Sequence, residues 1–490
     1  MGTGAGITRN TFYVFSSQVV QKLVNVCFIA IAARVLGTSH YGQYVLVSTM
    51  VFTATAIANF GIRPMIIRLV SRDRERAKEL LSNVLALRFV SAFAAYLVLL
   101  LFVRLAGYPP ETQTLTCIGG IAILMNCMQD ALDAILVAFE RMKVLGLFVV
   151  LTALLFTSSG VAVLRLGLGL RWLFTVNILV DALVFFLSGA FIWLRLVKFR
   201  LAVDLAVVRE VLVGCWPFFL VFIFGFMDTR VDILLLSIVP GPIDRQVAIG
   251  YYGPAHSILM TIILLPRSLN WALVPVISKK IYIEQDVVRD LVEKATKFVM
   301  IAISFPLILF TSLFSEPIVR LIFGDQFLPT ATALAVLGWA YAFQALNLPS
   351  YSVLGSVKEL RHYLPILIAS FILNILLDVL LIPHFSFVGA ALGSVIVVGA
   401  GFFARFYFLG KILDTKWSAT WPYLRLFAVL GVTLGAAYLV RAYLHWALLA
   451  ALVATMYALL LYASGAIARD EWLWASGLIA RRFGLRTRTT

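Results

Sequence analysis

FYVFSSQVVQKLVNVCFIAIAA (Phe12–Ala33) is long enough to cross the ~30 Å hydrocarbon layer of a bilayer as one helix. Its polar residues Gln18, Gln21, Lys22 and Asn25 fall at i, i+3, i+4 and i+7, one stripe down a single helical face, while the other faces are apolar. A lysine near the middle of a span costs about 2.5–3.5 kcal/mol on insertion scales. Facing a watery cavity removes most of that cost, and so does pairing with a buried carboxylate that locks two helices together. Four polar groups on one stripe exceed what a single lock requires, which favours the cavity.

The rest of the chain repeats this pattern. Of 490 residues 62% are hydrophobic and only 13% charged, with a mean hydropathy of +0.98, a balance that excludes an ordinary soluble domain. Fourteen segments reach the spanning length, at about 12–33, 41–62, 80–103, 113–139, 144–164, 173–194, 211–239, 249–278, 297–316, 331–354, 363–382, 388–410, 423–441 and 446–467. The first carries no cleavage pattern and reads as a retained span. Lys and Arg in alternate loops divide 27 on the N-terminal side against 7 on the other, with Lys22, Arg88, Arg230, Arg267, Arg405 and Arg425 inside spans. The positive-inside rule then places both termini in the cytoplasm. The net charge of +16 is thereby a matter of topology, and no nucleic-acid partner is expected. Cys27, Cys117, Cys127 and Cys215 all sit in apolar segments without metal-ligand spacing and read as free thiols.

The expected fold is all-α and polytopic. Residues 1–200 form one lobe of six spans, 201–415 a second, and 416–490 hold spans thirteen and fourteen with a basic tail. The loops Arg63–Glu79 and Lys279–Lys297 read as amphipathic helices on the membrane surface, and the tail from Arg469 as an interfacial segment. An internal repeat supports the two lobes: LGTSHYGQYVL (Leu36–Leu46) is answered by IGYYGPAHSIL (Ile249–Leu259), with Tyr41-Gly42 matching Tyr252-Gly253. Six spans per copy keep both copies in one orientation, related by a pseudo-twofold along the membrane normal.

Further polar groups sit at bilayer depth. Span four carries Asn126, Gln129, Asp130 and Asp133 at i, i+3, i+4 and i+7. Span seven carries Asp228 and Asp232 at i, i+4, with Arg230 pointing away from both. Span eight has Arg267 and Asn270 one turn apart, span three has Arg88, span six has Asp181, and span eleven has Asn374 and Asp378 at i, i+4. The cations Lys22, Arg88 and Arg267 lie mid-membrane or toward the cytoplasm, where an anionic headgroup would meet them. Asp130 and Asp133 could instead neutralise them, with Arg88 in a structural pair. Asp228 and Asp232 could bind a coupling cation or proton, pair with Arg230 or another cation, or flank a pore mouth. No GxSxG elbow, P-loop, HExxH or large loop with clustered His, Asp and Glu is present, so neither an enzyme nor a cofactor is expected. A membrane-embedded glycosyltransferase or polymerase would need a sizeable catalytic loop on the outer side, and the loops there are short.

AARVLGTSHYGQYVL (Ala32–Leu46), FGIRPMIIRLVSR (Phe60–Arg72), LNWALVPVISK (Leu269–Lys279) and FVGAALGSVIVV (Phe387–Val398) together resemble the polysaccharide transporter branch of the MOP superfamily, the Wzx-type flippases of bacterial inner membranes. The resemblance covers nearly the whole chain. It implies a V-shaped pair of six-helix lobes that opens alternately to each side and turns over a polyprenyl-diphosphate-linked oligosaccharide for O-antigen, capsule or exopolysaccharide assembly. A polysaccharide polymerase and chain-length proteins are the implied partners. It also implies that Lys22 and Arg267, with Arg63 and Arg88 beside them, hold the diphosphate. Gln18, Gln21, Asn25, Asn126, Gln129 and Asn270 would then offer hydrogen bonds to sugar. A cation-coupled multidrug exporter and a MurJ-like cell-wall precursor flippase of the same superfamily are the alternatives.

Overall fold

The computed structural model describes residues 4–198, 203–227, 230–281, 283–354, 360–413, 421–441 and 443–465. Asp228 and the tail from Arg469 lie outside these. Among the described residues there are helices and no strands, as a chain surrounded by lipid requires, because a helix satisfies its own backbone hydrogen bonds.

Eleven helical stretches are long and apolar enough to cross a membrane. Two of them hold two spans each. Tyr13–Asn59 bends at Gly37, whose φ of 72° lies in the left-handed region glycine tolerates, and Leu364–Ile412 bends at Ser386 (φ 51°). Leu205–Met227 and Val231–Ile238 are helical as well, so among the described residues helix occupies each of the fourteen expected segments.

The two amphipathic loops differ from their expected surface placement. In Ile62–Arg72 the residues Ile62, Ile66 and Val70 recur every fourth position, and this stripe is buried in a protein core shared with Leu80, Leu81, Ala131, Ile135 and Val211. The helix therefore packs its apolar face on the helix Ala122–Ala138 rather than on lipid. Gln285–Val299 likewise buries Val288, Val292 and Ala295, and runs on through a π-helical turn, Met300–Ser304, into the span Phe305–Phe323. Both loops are apolar at helical period because they close a core at the membrane edge.

The contacts divide the chain into two compact units. One comprises Met1–Thr261, Ile322–Phe327 and Leu367–Gly393, the other Ile262–Leu321, Leu328–Ile366 and Ser394–Thr490. In the first unit the span Phe12–Ala33 packs on Met142–Arg165. A Cβ added to Gly146 would lie 3.2 Å from Ser17, and one added to Gly160 would lie 2.9 Å from the Phe28 ring. Small residues thus let helices approach closely where lipid gives no hydrophobic drive toward association. In the second unit the span Trp421–Val440 stacks Phe427 on Phe305 with ring centroids 5.3 Å apart. There Arg405, buried to 2% exposure, donates from Nε to Asn347 Oδ1 at 3.0 Å and lies over the Tyr351 ring.

Candidate functional site

Two polar clusters and one stripe occupy the first unit, and each is fixed by local helix geometry.

The first cluster begins where span two ends. Phe60 (φ 45°) and Gly61 (φ 65°) take left-handed conformations in succession and break the helix between Asn59 and Ile62. That turn places the Asn59 carboxamide beside Arg88 and the Arg63 guanidinium beside Asp130, which Arg88 also meets. Arg63 Nη1 donates to Asp130 Oδ1 at 2.7 Å, and Arg88 Nη2 donates to Asp130 Oδ2 at 2.7 Å. Arg88 also donates from Nη1 to Asn59 Oδ1. Arg88 is wholly buried, whereas the Arg63 side chain keeps 40% of its surface exposed. A buried guanidinium is costly unless it is paired, and Asp130 with Asn59 takes both terminal nitrogens of Arg88, while its Nε has no hydrogen-bond partner among the described residues. One carboxylate therefore accepts from two guanidinium groups, and Arg63 forms the exposed edge of the cluster.

Gln129 and Asp130 are consecutive, so they stand 100° apart around the helix and face different neighbours. Gln129 Nε2 donates to Asp133 Oδ1 at 2.8 Å, and Ser188 Oγ donates to Gln129 Oε1 at 3.0 Å. Asn126 Nδ2 reaches Asp181 Oδ2 at 3.3 Å, joined there by Asn177 Nδ2 at 3.4 Å. The span-four stripe is thus divided: Asp130 turns to the arginines, Asn126 and Gln129 hold the helix Gly169–Arg195, and Asp133 accepts from Gln129 one turn away on its own helix. Of the pairs open for Arg88, the structure selects Asp130 and leaves Asp133 to Gln129.

The second cluster carries the opposite charge. Tyr252 Oη donates to Asp232 Oδ2 at 2.5 Å. With the Asn374 carboxamide oriented so that Nδ2 meets both acids, it donates to Asp232 Oδ1 at 3.0 Å and to Asp378 Oδ2 at 3.2 Å. Asp232, Asn374 and Asp378 are each no more than 3% exposed, and Asp378 Oδ1 has no hydrogen-bond partner among the described residues. Asn374 and Asp378 share a face of span eleven at i, i+4, and the acid they meet is Asp232 of span seven. The Arg230 guanidinium lies 5.1 Å from the Phe52 ring.

The stripe of the first span borders the buried residues Ser17 and Phe28, which stand at i−4 and i+7 from Gln21. Gln18, Gln21 and Lys22 are half-buried and Asn25 is exposed. In the second unit, on the helix Leu264–Lys280, Arg267 is exposed and Asn270 half-buried. Asn59 and Ser188 were not singled out by sequence reasoning. The only signal for Asn59 was one amide closing an otherwise apolar span; Ser188 gave none.

The family model for polysaccharide biosynthesis proteins matches residues 7–280, more than half of the chain. The chain belongs to this family, in the polysaccharide transporter branch of the MOP superfamily. A second model of that superfamily, MatE, matches residues 217–380 of this polysaccharide transporter family member. Its fold is similar to that of the lipid II flippase MurJ in an inward closed conformation, at 15% identity and a TM-score of 0.75, over 94% of this chain and 99% of that one. It is also similar to an inward-facing multidrug resistance MATE family transporter, at 14% identity and a TM-score of 0.63, over 83% of this chain and 99% of the other. The Vibrio cholerae MATE transporter VcmN in its bent form gives 15% identity and a TM-score of 0.56, over 84% and 98%. An uncharacterized membrane protein of Methanocaldococcus jannaschii is 26% identical over 123 residues, 25% of this chain and about a quarter (24%) of that protein's length. Family membership together with the long apolar helices makes the chain a multi-pass membrane protein of the polysaccharide biosynthesis family.

Proposed function

We propose that the chain flips polyprenyl-diphosphate-linked oligosaccharide across a bacterial inner membrane, with both termini cytoplasmic, by alternating access between two lobes. The observation that carries this reading is the two-to-one ratio of guanidinium to carboxylate at Asp130, with Arg63 half-exposed on the side from which cargo would arrive. A diphosphate offers more acceptor oxygens than Asp130 and competes with it for Arg63. Lys22 and Arg267 provide further cations, Gln18, Gln21, Asn25 and Asn270 donate to sugar hydroxyls, and the lipid tail stays in the bilayer. Arg88, wholly buried, acts by holding Asp130 and Asn59 in place, and Asn126 and Gln129 by bracing the helix that carries Asp130.

The second cluster suits a coupling cation or proton. Two carboxyl groups bridged by one amide at bilayer depth are suited to share a proton or cation, and Asp378 Oδ1 has no hydrogen-bond partner among the described residues. This extends the pairing of Asp228 and Asp232 considered from sequence, with Asp378 as the partner of Asp232.

The test is export in a strain lacking its own flippase. Lys22→Ala and Arg267→Ala are expected to abolish surface glycan and to accumulate the lipid-linked precursor, at unchanged protein levels; full export from both variants refutes the cargo assignment. The MatE match over 217–380, which contains Asp232, favours a second reading, a cation-coupled drug exporter. Raised drug tolerance in a sensitised strain, with no effect on glycan export, would select it.

A further inference from the structure

The two halves of the internal repeat meet in the structure. Thr38, Gly42 and Val45 stand at i, i+4 and i+7 on span two, and Gln246, Gly250 and Gly253 stand at the same spacing on span eight. A Cβ on Gly42 would overlap the Gln246 carbonyl, one on Gly250 would overlap the Thr38 carbonyl, and one on Gly253 would lie 2.8 Å from the Val45 side chain. The two backbones touch directly. Ser39 Oγ donates to Gln246 Oε1 at 3.2 Å, and Tyr41, 1% exposed, is hydrogen-bonded to Ser257. This crossing lies at the membrane side opposite the N-terminus. Beside it opens a cavity of about 640 Å³ lined by Leu46, Tyr108, Asp244, Arg245, Gln246 and Ile249.

One residue of the crossing also belongs to the acidic cluster. Tyr252 precedes Gly253 in the contact segment, is 1% exposed, and gives its hydroxyl to Asp232. The tyrosine of the first repeat copy, Tyr41, instead packs edge-on against Phe327 with ring centroids 6.0 Å apart. Among the described residues, the second copy's tyrosine bonds an acid and the first copy's bonds Ser257.

We propose that Tyr252 is a positioning residue that ties the crossing of residues 38–45 over 246–253, acting as the outer gate, to the Asp232–Asn374–Asp378 cluster. An alternating-access transporter must part this contact to open outward, because glycine-to-carbonyl contacts leave no passage between the helices. A direct bond from the gate helix to the acid pair makes the closed crossing sensitive to what occupies that pair. The proposal rests on the transport reading and its orientation, but its test needs no cargo.

The test uses the full-length chain in lipid nanodiscs, with Cys27 and Cys117 replaced by Ser and with Ser39→Cys and Gln246→Cys introduced. Oxidation is expected to cross-link the pair rapidly. Tyr252→Phe and Asp232→Asn are each expected to slow cross-linking about tenfold, the worth of one charge-assisted hydrogen bond. Their combination should be no slower than either alone. Gly42→Ala should also slow it by wedging the helices, whereas Gly435→Ala, with nothing within 4 Å of its added methyl, should not. An unchanged rate in Tyr252→Phe, or additive effects of Tyr252→Phe and Asp232→Asn, overturns the proposal. In cells, the oxidised pair should stop transport and a reductant restore it; transport persisting through a complete cross-link overturns the gate. Failure of the glycan-export variants alone, with cross-linking as described, refutes the cargo and leaves the gate intact.

Discussion

The two buried polar clusters of the first unit use the same materials to opposite effect. Around Asp130, two arginines share one carboxylate and one of them also holds Asn59; around Asn374, two carboxyl groups share one amide and one of them also holds Tyr252. The first has an exposed edge at Arg63, and the second is wholly buried with one oxygen of Asp378 unpartnered among the described residues. A polar group left over is costly where no water reaches it. The two clusters thus differ in what they present, guanidinium donors at an exposed edge in one and a buried carboxyl pair in the other.

The sharpest way to break this contrast is to remove Arg88. Arg88→Ala strands Asp130 beside Arg63 alone and opens a void, with an expected loss of about 3–5 kcal/mol of stability. Thermal unfolding of the detergent-solubilised protein measures it, and a near-neutral result would deny Arg88 its organising role. The second cluster should respond differently. Asp378→Asn removes a carboxyl from a crowded pair, so the variant is expected to fold. It should lose any stabilisation by the coupling cation, which for a ligand at a hundred times its Kd amounts to about 2.7 kcal/mol in the parent protein. Melting temperature titrated with Na⁺ and, separately, with pH checks this, and an undiminished shift in the variant removes Asp378 from the site. The smallest effect belongs outside the bilayer, where Arg76 pairs with Glu210 through Nη2 to Oε2 at 2.8 Å. Arg76 holds the Glu210 carboxyl below its ordinary value of 4.5. The contribution is therefore present above that value and fades as pH falls through the lowered one. Both side chains are more than a third exposed, so Arg76→Ala should cost roughly 0.5 kcal/mol, less at high salt, and nothing in strong acid.

Much of the fold was legible in the chain because bilayer thickness imposes a length and lipid imposes apolarity. The fourteen spans followed from those two constraints. The bends at Gly37 and Ser386 were less visible: segments left as loops proved helical up to a single residue with positive φ, and hydropathy does not register one residue's dihedral angle. The stripe Asn126, Gln129, Asp130 and Asp133 was recognised as one face, but a face some 100° wide meets two neighbours, and which side chain meets which depends on helix packing. The link from Asp232 to Asp378 joins residues of spans seven and eleven, a distance no local period encodes. Arg88 opposite Asp130 was one of two readings open in the sequence, and the left-handed turn at Phe60 and Gly61 brings Arg63 in as well.

The π-helical turn Met300–Ser304 has a consequence for the last two spans. Widening a helix by one residue releases main-chain carbonyls from their usual donors, and here Tyr457 Oη, from the final described helix, donates to the Ile301 carbonyl at 2.9 Å. Nearby, Ser304 Oγ donates to the Ala342 carbonyl at 3.0 Å. The terminal pair is thus pinned to its unit by a flaw in another helix's ladder, and a chain ending before Trp446 would leave Ile301 facing hydrocarbon with an oxygen that nothing there can satisfy.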